Sequence, residues 1–128
     1  MPNRSELMKE LTALFNYYIK LKEVNHQGYI KCFTCDKVCH ISNIDAGHFQ
    51  GSKKSTVRWD EMNVKPQCRQ CNNTNNGMRQ EFANRLDLKY GCGTAKRLMQ
   101  KANKASQFKS AELRQKIEYY KSKILDAQ

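Results

Sequence analysis

The sequence predicts an α+β fold in which helices at both ends of the chain flank a cysteine-rich middle with short strands. Apolar residues recur every three or four positions near both termini, which is the periodicity of amphipathic helices. The middle has few helical signals and contains β-forming stretches such as Tyr29-Ile30 and Val57 to Trp59. A chain of 128 residues has the length of one domain and buries only a modest core. We therefore expect a single domain, residues 1–128, whose stability depends on something besides its hydrophobic core.

The first element is an amphipathic helix within residues 1–28. Asn3 followed by Glu6 resembles a capping box, and the helix is expected to run to about Val24 before Gly28 breaks it. Its apolar stripe is Leu7, Leu11, Leu14, Tyr18 and Leu21. Such a stripe commonly packs within its own chain, but this stripe or that of the C-terminal helix also offers a route to a homodimer.

Three basic helices are predicted within residues 79–128. The first spans Arg79 to Tyr90 and stops at Gly91 or Gly93. Thr94 can cap a second helix that runs to about Ala105, and Ser110 can cap a third. The apolar stripe of the last helix is Leu113, Ile117, Tyr120 and Ile124. The cysteine-rich core then occupies residues 29–78.

The charge balance favours a polyanionic partner. Lys and Arg number 23 against 12 acidic residues, a formal net charge of +11, and such an excess on a small surface favours nucleic acid over a merely soluble surface. The first ten residues are polar and charged, and no apolar run approaches a membrane span. We therefore expect a cytoplasmic protein, in the host cytoplasm if it is phage-encoded, with reduced thiols.

Two Cys-x-x-Cys pairs predict a structural zinc site. Cys32 with Cys35 and Cys68 with Cys71 each place two thiolates at the spacing of a zinc knuckle. The 32 residues between Cys35 and Cys68 can hold a β-hairpin and a basic loop, as in a treble clef. Four thiolates leave no open position for water, so this zinc is expected to be structural. Two further cysteines lack such a partner; Cys39 can replace a ligand, and a small buried role is expected for both Cys39 and Cys92.

A His, Asn, Cys-x-x-Cys-Asn order lies on this predicted treble clef and forms an HNH signature. His48 follows Asp45-Ala46-Gly47, Asn63 precedes Cys68 by five residues, and Asn72 directly follows Cys71. Hydrolysis of a phosphodiester needs a base for water, and a neutral imidazole suits that task near pH 7. His48 is the candidate base. Asn63 is expected to orient it, either through its side chain or by bridging the loop to the histidine.

The same signature predicts a catalytic Mg²⁺ or Mn²⁺ near the base. A hard cation prefers oxygen ligands, and Asn72 offers an amide oxygen from the first turn of a helix. Asn76 is either a second ligand or phosphate contact, or part of a helix stop with Gly77. Asp45 would add negative charge, but strand alternation places it opposite His48 unless a bulge intervenes at Gly47.

The sequence resembles the lambdoid phage NinG proteins, also called Rap. The resemblance covers Phe15 to Lys22, Cys32 to Cys35, Ala46 to Phe49, Asn63 to Asn72, Tyr90-Gly91 and the basic C-terminal helices. It implies a recombination endonuclease that hydrolyses branched DNA, a Holliday junction or D-loop, with Mg²⁺ or Mn²⁺. The chain departs from many HNH enzymes at Gly47, where they carry an acidic metal ligand. It also has Met78 where the family pattern favours asparagine.

DNA is expected to be held through phosphates rather than base edges. The predicted contacts lie in the loop between the knuckles and on the C-terminal helices: Lys53, Lys54, Arg58, Lys96, Arg97, Lys101 and Lys104. The competing hypothesis is a non-catalytic treble-clef DNA-binding protein that uses zinc only as a staple. A third and weaker hypothesis is a zinc-dependent protein adaptor, which would lack salt-sensitive DNA affinity.

Overall fold

The computed structural model describes residues 1–51 and 53–128, in which helices surround two small antiparallel sheets. The helices are α1 (Arg4–Leu21), α2 (Arg79–Tyr90), α3 (Thr94–Ala102) and α4 (Ser110–Ala127). One sheet pairs β1 (Tyr29–Lys31) with β2 (Val38–His40), and the other pairs β3 (Ile44–His48) with β4 (Val64–Cys68). The predicted α+β class is therefore confirmed. In the part of the chain that the structure describes, none of the helices combines the length and the apolar character that a membrane crossing requires.

Helix α1 packs against α4 and the β3–β4 sheet to form the larger core. As predicted, Asn3 caps α1, because its side chain accepts a 2.9 Å hydrogen bond from the backbone N–H of Glu6. The predicted stripe was wrong in its second half, since Leu14 and Tyr18 are only partly buried. The buried face instead follows the i, i+4 spacing of the helix through Leu7, Leu11, Phe15 and Ile19. It packs within the chain, the commoner of the two expected alternatives.

The smaller core lies under α2 and α3. Helix α2 has the predicted bounds, whereas α3 ends at Ala102, three residues before the predicted end. Val57 to Trp59 was expected to favour a strand, and this is wrong: the segment belongs to the β3–β4 loop, whose described residues are 49–51 and 53–63. Val57 and Trp59 are 0% and 6% exposed. These β-forming residue types are therefore buried in the core here, and they do not pair with a neighbouring strand.

Strands β3 and β4 pair residue by residue, from Ile44 opposite Cys68 to His48 opposite Val64, without a bulge. Gly47 lies in this ladder beside the side chain of Gln67. A Cβ at Gly47 would lie 2.0 Å from Gln67 Oε1. Gln67 is fully buried, and its Nε2 donates to Thr34 Oγ1 and to the Gly77 carbonyl, so it has little freedom to move. Glycine is therefore required directly before His48.

Gly47→Ala is expected to destabilise the protein by about 1–3 kcal/mol, because the new methyl group overpacks a closed site. Chemical unfolding followed by the fluorescence of Trp59, the single tryptophan, measures the change. Gly51→Ala is the matched control, since a Cβ there meets no atom within 4 Å. Equal unfolding free energies for the two variants would contradict the packing argument.

Candidate functional site

The two Cys-x-x-Cys pairs meet in one cluster between the two sheets. The Sγ atoms of Cys32, Cys35, Cys68 and Cys71 all lie within 4.8 Å of one another. The Sγ atoms of Cys35 and Cys68 are 3.7 Å apart. A tetrahedral Zn²⁺ with bonds of about 2.3 Å separates its sulfurs by about 3.8 Å, so the four donors fit. The cluster could hold a structural metal such as zinc.

The thiol pKa values show why a cation suits this cluster. Burial raises the pKa of Cys32, but hydrogen bonds from the Cys68 backbone N–H and from Thr34 outweigh it and bring that pKa to about 6. Burial, with the neighbouring thiols, raises the pKa of Cys35 to about 12. Burial likewise raises the pKa of Cys71. Four thiolates therefore coexist readily only around a cation.

The two remaining cysteines differ. Cys39 is half-buried and packs beside the cluster, which fits the small packing role expected of it. Cys92 is exposed, so the expectation that it is buried was wrong. It directly follows Gly91, which ends α2, and a turn between two helices has no interior to bury it.

Beside the cysteine cluster lies a polar cleft of about 400 Å³. Its walls come from α1, β3, the β3–β4 loop and the segment that follows β4. His48 and Asn72, predicted to converge, both line it. The polar side chains in the wall are Thr12, Asn16, His48, Arg58, Asn72, Asn76 and Arg79.

His48, the last residue of β3, is held in one tautomer. Its Nε2 lies 3.1 Å from the carbonyl oxygen of Arg58. Because a carbonyl only accepts, Nε2 carries the proton and Nδ1 is the basic nitrogen. Burial lowers the pKa of His48, although the carbonyls of Arg58 and Ala46 partly oppose this effect. The imidazole is therefore neutral at pH 7 and able to accept a proton.

Asn63 braces the loop that holds His48. Its side chain accepts from the N–H of Gln50 at 2.8 Å and donates to the carbonyls of Gln50 and Val57 at 3.0 and 3.1 Å. Asn63 is 0% exposed and is not among the residues that line the cleft. These bonds fit the bridging alternative, in which Asn63 acts on His48 through the loop; its role in activity stays a prediction.

Asn72 lies on a five-residue π-helical turn, Gln70–Thr74, directly after β4. Its Nδ2 donates a 3.2 Å hydrogen bond to Asp45 Oδ2. Because the amide nitrogen has this partner, the amide oxygen is the atom left to receive a ligand. The sequence predicted Asn72 on the first turn of a helix, and the structure has only this short π-helical turn at that position.

Asp45 and Asn76 differ in their relation to the cleft. Without a bulge at Gly47, Asp45 points to the other face of β3 from His48, and it is not in the cleft wall. It binds Asn72 and lies 3.6 Å from Arg69 Nε. Asn76 lines the cleft, and with a φ of 54° it begins the left-handed stretch that follows the turn, which fits the helix stop that was one of its two expected roles. Metal ligation by Asp45, Asn72 or Asn76 stays a prediction.

Three cleft residues, Thr12, Asn16 and Arg79, were not found from the sequence. Thr12 and Asn16 come from α1, far from the cysteine-rich segment along the chain. Arg79 starts α2, and its Nη1 donates to the carbonyl of Phe49. A local sequence signal existed only for Arg79, because the pair Asn76-Gly77 is typical of a turn. In the structure residues 76–78 all have positive φ, and this reversal brings the start of α2 back to the cleft.

The predicted DNA-binding residues lie on neighbouring elements. Thr56 Oγ1 donates to the Lys101 carbonyl at 2.6 Å, and Lys101 Nζ lies 2.7 Å from Asp60 Oδ2. These bonds dock the end of α3 on the β3–β4 loop. Arg58 lines the cleft, whereas the other predicted contacts are exposed on the loop, on α3 and just beyond α3: Lys53, Lys54, Lys96, Arg97, Lys101 and Lys104.

The fold and site thus define an α+β protein with a four-cysteine metal-type cluster beside a polar, histidine-containing cleft. A family model described as "Bacteriophage Lambda NinG protein" matches residues 1–128, and the chain belongs to that family. This membership confirms the resemblance noted in the sequence and links the chain to phage recombination. No curated protein and no solved structure matches the chain.

Proposed function

We propose that this protein is a zinc-stapled, metal-dependent HNH endonuclease that hydrolyses branched recombination intermediates such as Holliday junctions or D-loops. The observation that carries the proposal is the meeting of His48 and Asn72 in one cleft next to the cysteine cluster. Membership of a recombination-linked phage family supports the choice of substrate.

The order of elements supports a treble-clef core. Cys32 and Cys35 follow β1, the β3–β4 hairpin comes next, and Cys68 and Cys71 join the end of β4 to the π-helical turn. A zinc ion at the cluster would fix this turn to the hairpin. His48 on the hairpin and Asn72 on the turn would then keep a fixed distance and orientation to each other, which a reaction requires of its catalytic groups.

In the proposed reaction, His48 acts as the general base. A water oxygen forms a bond to phosphorus, and the water proton passes to Nδ1 of His48. The bond from phosphorus to the 3′-oxygen breaks with its electron pair on oxygen, and this oxygen takes a proton from solvent water to become the 3′-hydroxyl. The hydrogen bond from Nε2 to the Arg58 carbonyl keeps Nδ1 as the accepting atom. The lowered pKa of His48 keeps the imidazole in its accepting form at pH 7.

The donor set suits a hard divalent cation that keeps part of its water shell. Asn72 and Asn76 would hold the cation through their amide oxygens. Asp45, which accepts a hydrogen bond from Asn72 Nδ2, would orient the Asn72 amide. When bound, Mg²⁺ or Mn²⁺ supplies charge neutralisation at the phosphate. Gly47 stands where many HNH enzymes carry an acidic ligand, and Gln67 fills the space beside it, so the negative charge at this site would come mainly from the DNA phosphate.

Cations of the protein would position the DNA. Arg58 and Arg79 line the cleft and suit the scissile phosphate. The exposed lysines of the β3–β4 loop and α3 would follow the backbone on either side. Paired cuts across a junction need two active sites, so we also propose a homodimer, formed through a surface other than the α1 stripe.

The test is a cleavage assay with purified zinc-loaded protein on duplex, flap and four-way junction DNA, in Mg²⁺, Mn²⁺, Ca²⁺ or EDTA. We expect cleavage of branched substrates in Mg²⁺ or Mn²⁺ and none in EDTA. Tight, salt-sensitive junction binding without a nick in any metal would reject the nuclease and favour the non-catalytic DNA-binding alternative.

A further inference from the structure

A smaller groove lies next to the histidine cleft and is called the Met99 groove here. It has a volume of about 180 Å³ and lies between the start of the β3–β4 loop, α2 and α3. Phe49, Ala83 and Met99 give it a mostly apolar lining. A typical small-molecule pocket measures about 300–1,000 Å³, so this groove suits a ligand no larger than one flat ring system.

Arg79 joins the Met99 groove to the cleft, because it lines both. Its Nη1 donates to the carbonyl of Phe49, and Phe49 directly follows His48 in the chain. The groove thus begins one residue away from the candidate base. A nucleotide whose phosphate binds Arg79 in the cleft would have its own base, or that of its neighbour, within reach of the groove.

Met99 is an exposed apolar side chain on a basic helix. It is 49% exposed, whereas the apolar residues that anchor α3 to the core are Ala95, Leu98 and Ala102. The other exposed positions of α3 carry three cations and one glutamine. Core packing therefore explains the helix, but it does not explain a methionine in the groove wall between cations that suit phosphates.

The lining of the groove has the chemistry that a nucleobase requires. Met99 offers a polarisable apolar surface to a flat ring, and the Arg79 guanidinium can stack on a base. Gln50 and Gln80 add amide groups that can bond to the polar edge of a base. Among the described residues that line the groove, none is acidic, so the phosphates of a nucleotide meet no repulsion there.

We infer that the Met99 groove binds one unpaired base next to the phosphate in the cleft, so that Met99 helps to select branched over fully paired DNA. This inference rests on the proposed function, which assigns a DNA phosphate to the cleft. Taking a base out of a duplex costs pairing and stacking energy, and this cost is smallest for a base that is already unpaired. Flaps and D-loops supply such a base, whereas an intact duplex does not.

The test compares the affinity of the zinc-loaded full-length protein for a flap and for a blunt duplex of equal length. Fluorescence anisotropy without Mg²⁺ or Mn²⁺ measures both. In a second flap, 2-aminopurine replaces the first unpaired base, and acrylamide quenching reports whether that base is shielded. We expect the wild type to prefer the flap and to shield the base. Met99→Ala is expected to lower the ratio of flap to blunt affinity roughly fivefold or more, the effect of losing a base contact, and to remove the shielding.

Met62→Ala is the matched control, because Met62 is 44% exposed on the β3–β4 loop and lines neither the groove nor the cleft. It is expected to keep both readouts at the wild-type values. Met99→Leu retains an apolar wall of similar volume and is expected to stay within about twofold of the wild type. Zinc content and thermal unfolding show that each variant folds.

The outcomes separate this inference from the proposed function. A flap preference and a shielded base that Met99→Ala leaves unchanged would overturn the inference alone, as would a wild type that binds both DNAs equally. A wild type that shows both effects of Met99 but nicks no DNA in any metal would reject the nuclease and support the inference. A wild type that binds no DNA would overturn both.

Discussion

Replacing His48 with alanine is expected to lower the single-turnover rate of junction cleavage by a factor of about 10² to 10⁴, the usual contribution of a positioned general base. Alanine removes the imidazole from the cleft wall, and with it the nitrogen that, in the proposed reaction, would accept the water proton. Junction affinity is expected to stay within about twofold, because lysine and arginine charges supply phosphate binding. Rapid-quench cleavage and salt-controlled binding measure the two quantities.

His40→Ala is the control for this substitution. His40 is exposed, lies outside the cleft wall and bonds to Ser42 through Nδ1, so its loss is expected to leave cleavage unchanged. Zinc content and unfolding free energy show whether His48→Ala retains its fold without the bond to the Arg58 carbonyl. A folded His48→Ala variant that cleaves at the wild-type rate would remove His48 from the mechanism.

Loss of the cysteine cluster is expected to have the largest effect on stability. Structural zinc contributes about 10–16 kcal/mol of apparent binding free energy in zinc-finger peptides, as much as the total stability of about 5–15 kcal/mol of a typical domain. The cluster fastens the segment after β1 to the end of β4. Cys68→Ser, or zinc removal by a strong chelator, is therefore expected to abolish cooperative unfolding of the 29–78 core.

Near-ultraviolet circular dichroism and zinc release measured with a colorimetric chelator report this loss. Cys92→Ser is the matched control, because Cys92 is exposed and is not one of the four clustered cysteines. It is expected to keep both the zinc and the unfolding transition. An unchanged transition in Cys68→Ser would show that the fold does not depend on the cluster.

Short-range signals in the sequence predicted much of this molecule. Caps and spacing placed α1 and α2, since Asn3 and Gly91 act on the turns next to them. The cysteine cluster was predictable because two Cys-x-x-Cys pairs of fixed local geometry have one economical arrangement. The meeting of His48 and Asn72 followed from the hairpin and turn that such a cluster implies.

Features that depend on tertiary packing could not be predicted. Packing against α4 decides which face of α1 is buried. That face carries Phe15 and Ile19 rather than the predicted Leu14 and Tyr18. Asn16 enters the cleft for the same reason. The need for glycine at position 47 depends on the Gln67 side chain on the paired strand, a contact that no pattern within β3 reveals.

The central claim is that His48, held neutral in its cleft, receives the proton from water. The pH dependence of single-turnover junction cleavage tests it most directly. The charged side chains in the cleft wall are Arg58 and Arg79, which stay protonated throughout such a titration. Since the pKa of His48 lies below its ordinary value of 6.5, the rate should be at its plateau at pH 7 and fall only at lower pH.

We predict that this inflection keeps its position when Mn²⁺ replaces Mg²⁺ and is absent from the residual activity of His48→Ala. A rate that climbs steadily through pH 7 to 9, or an inflection that moves with the metal and persists in His48→Ala, would contradict the account.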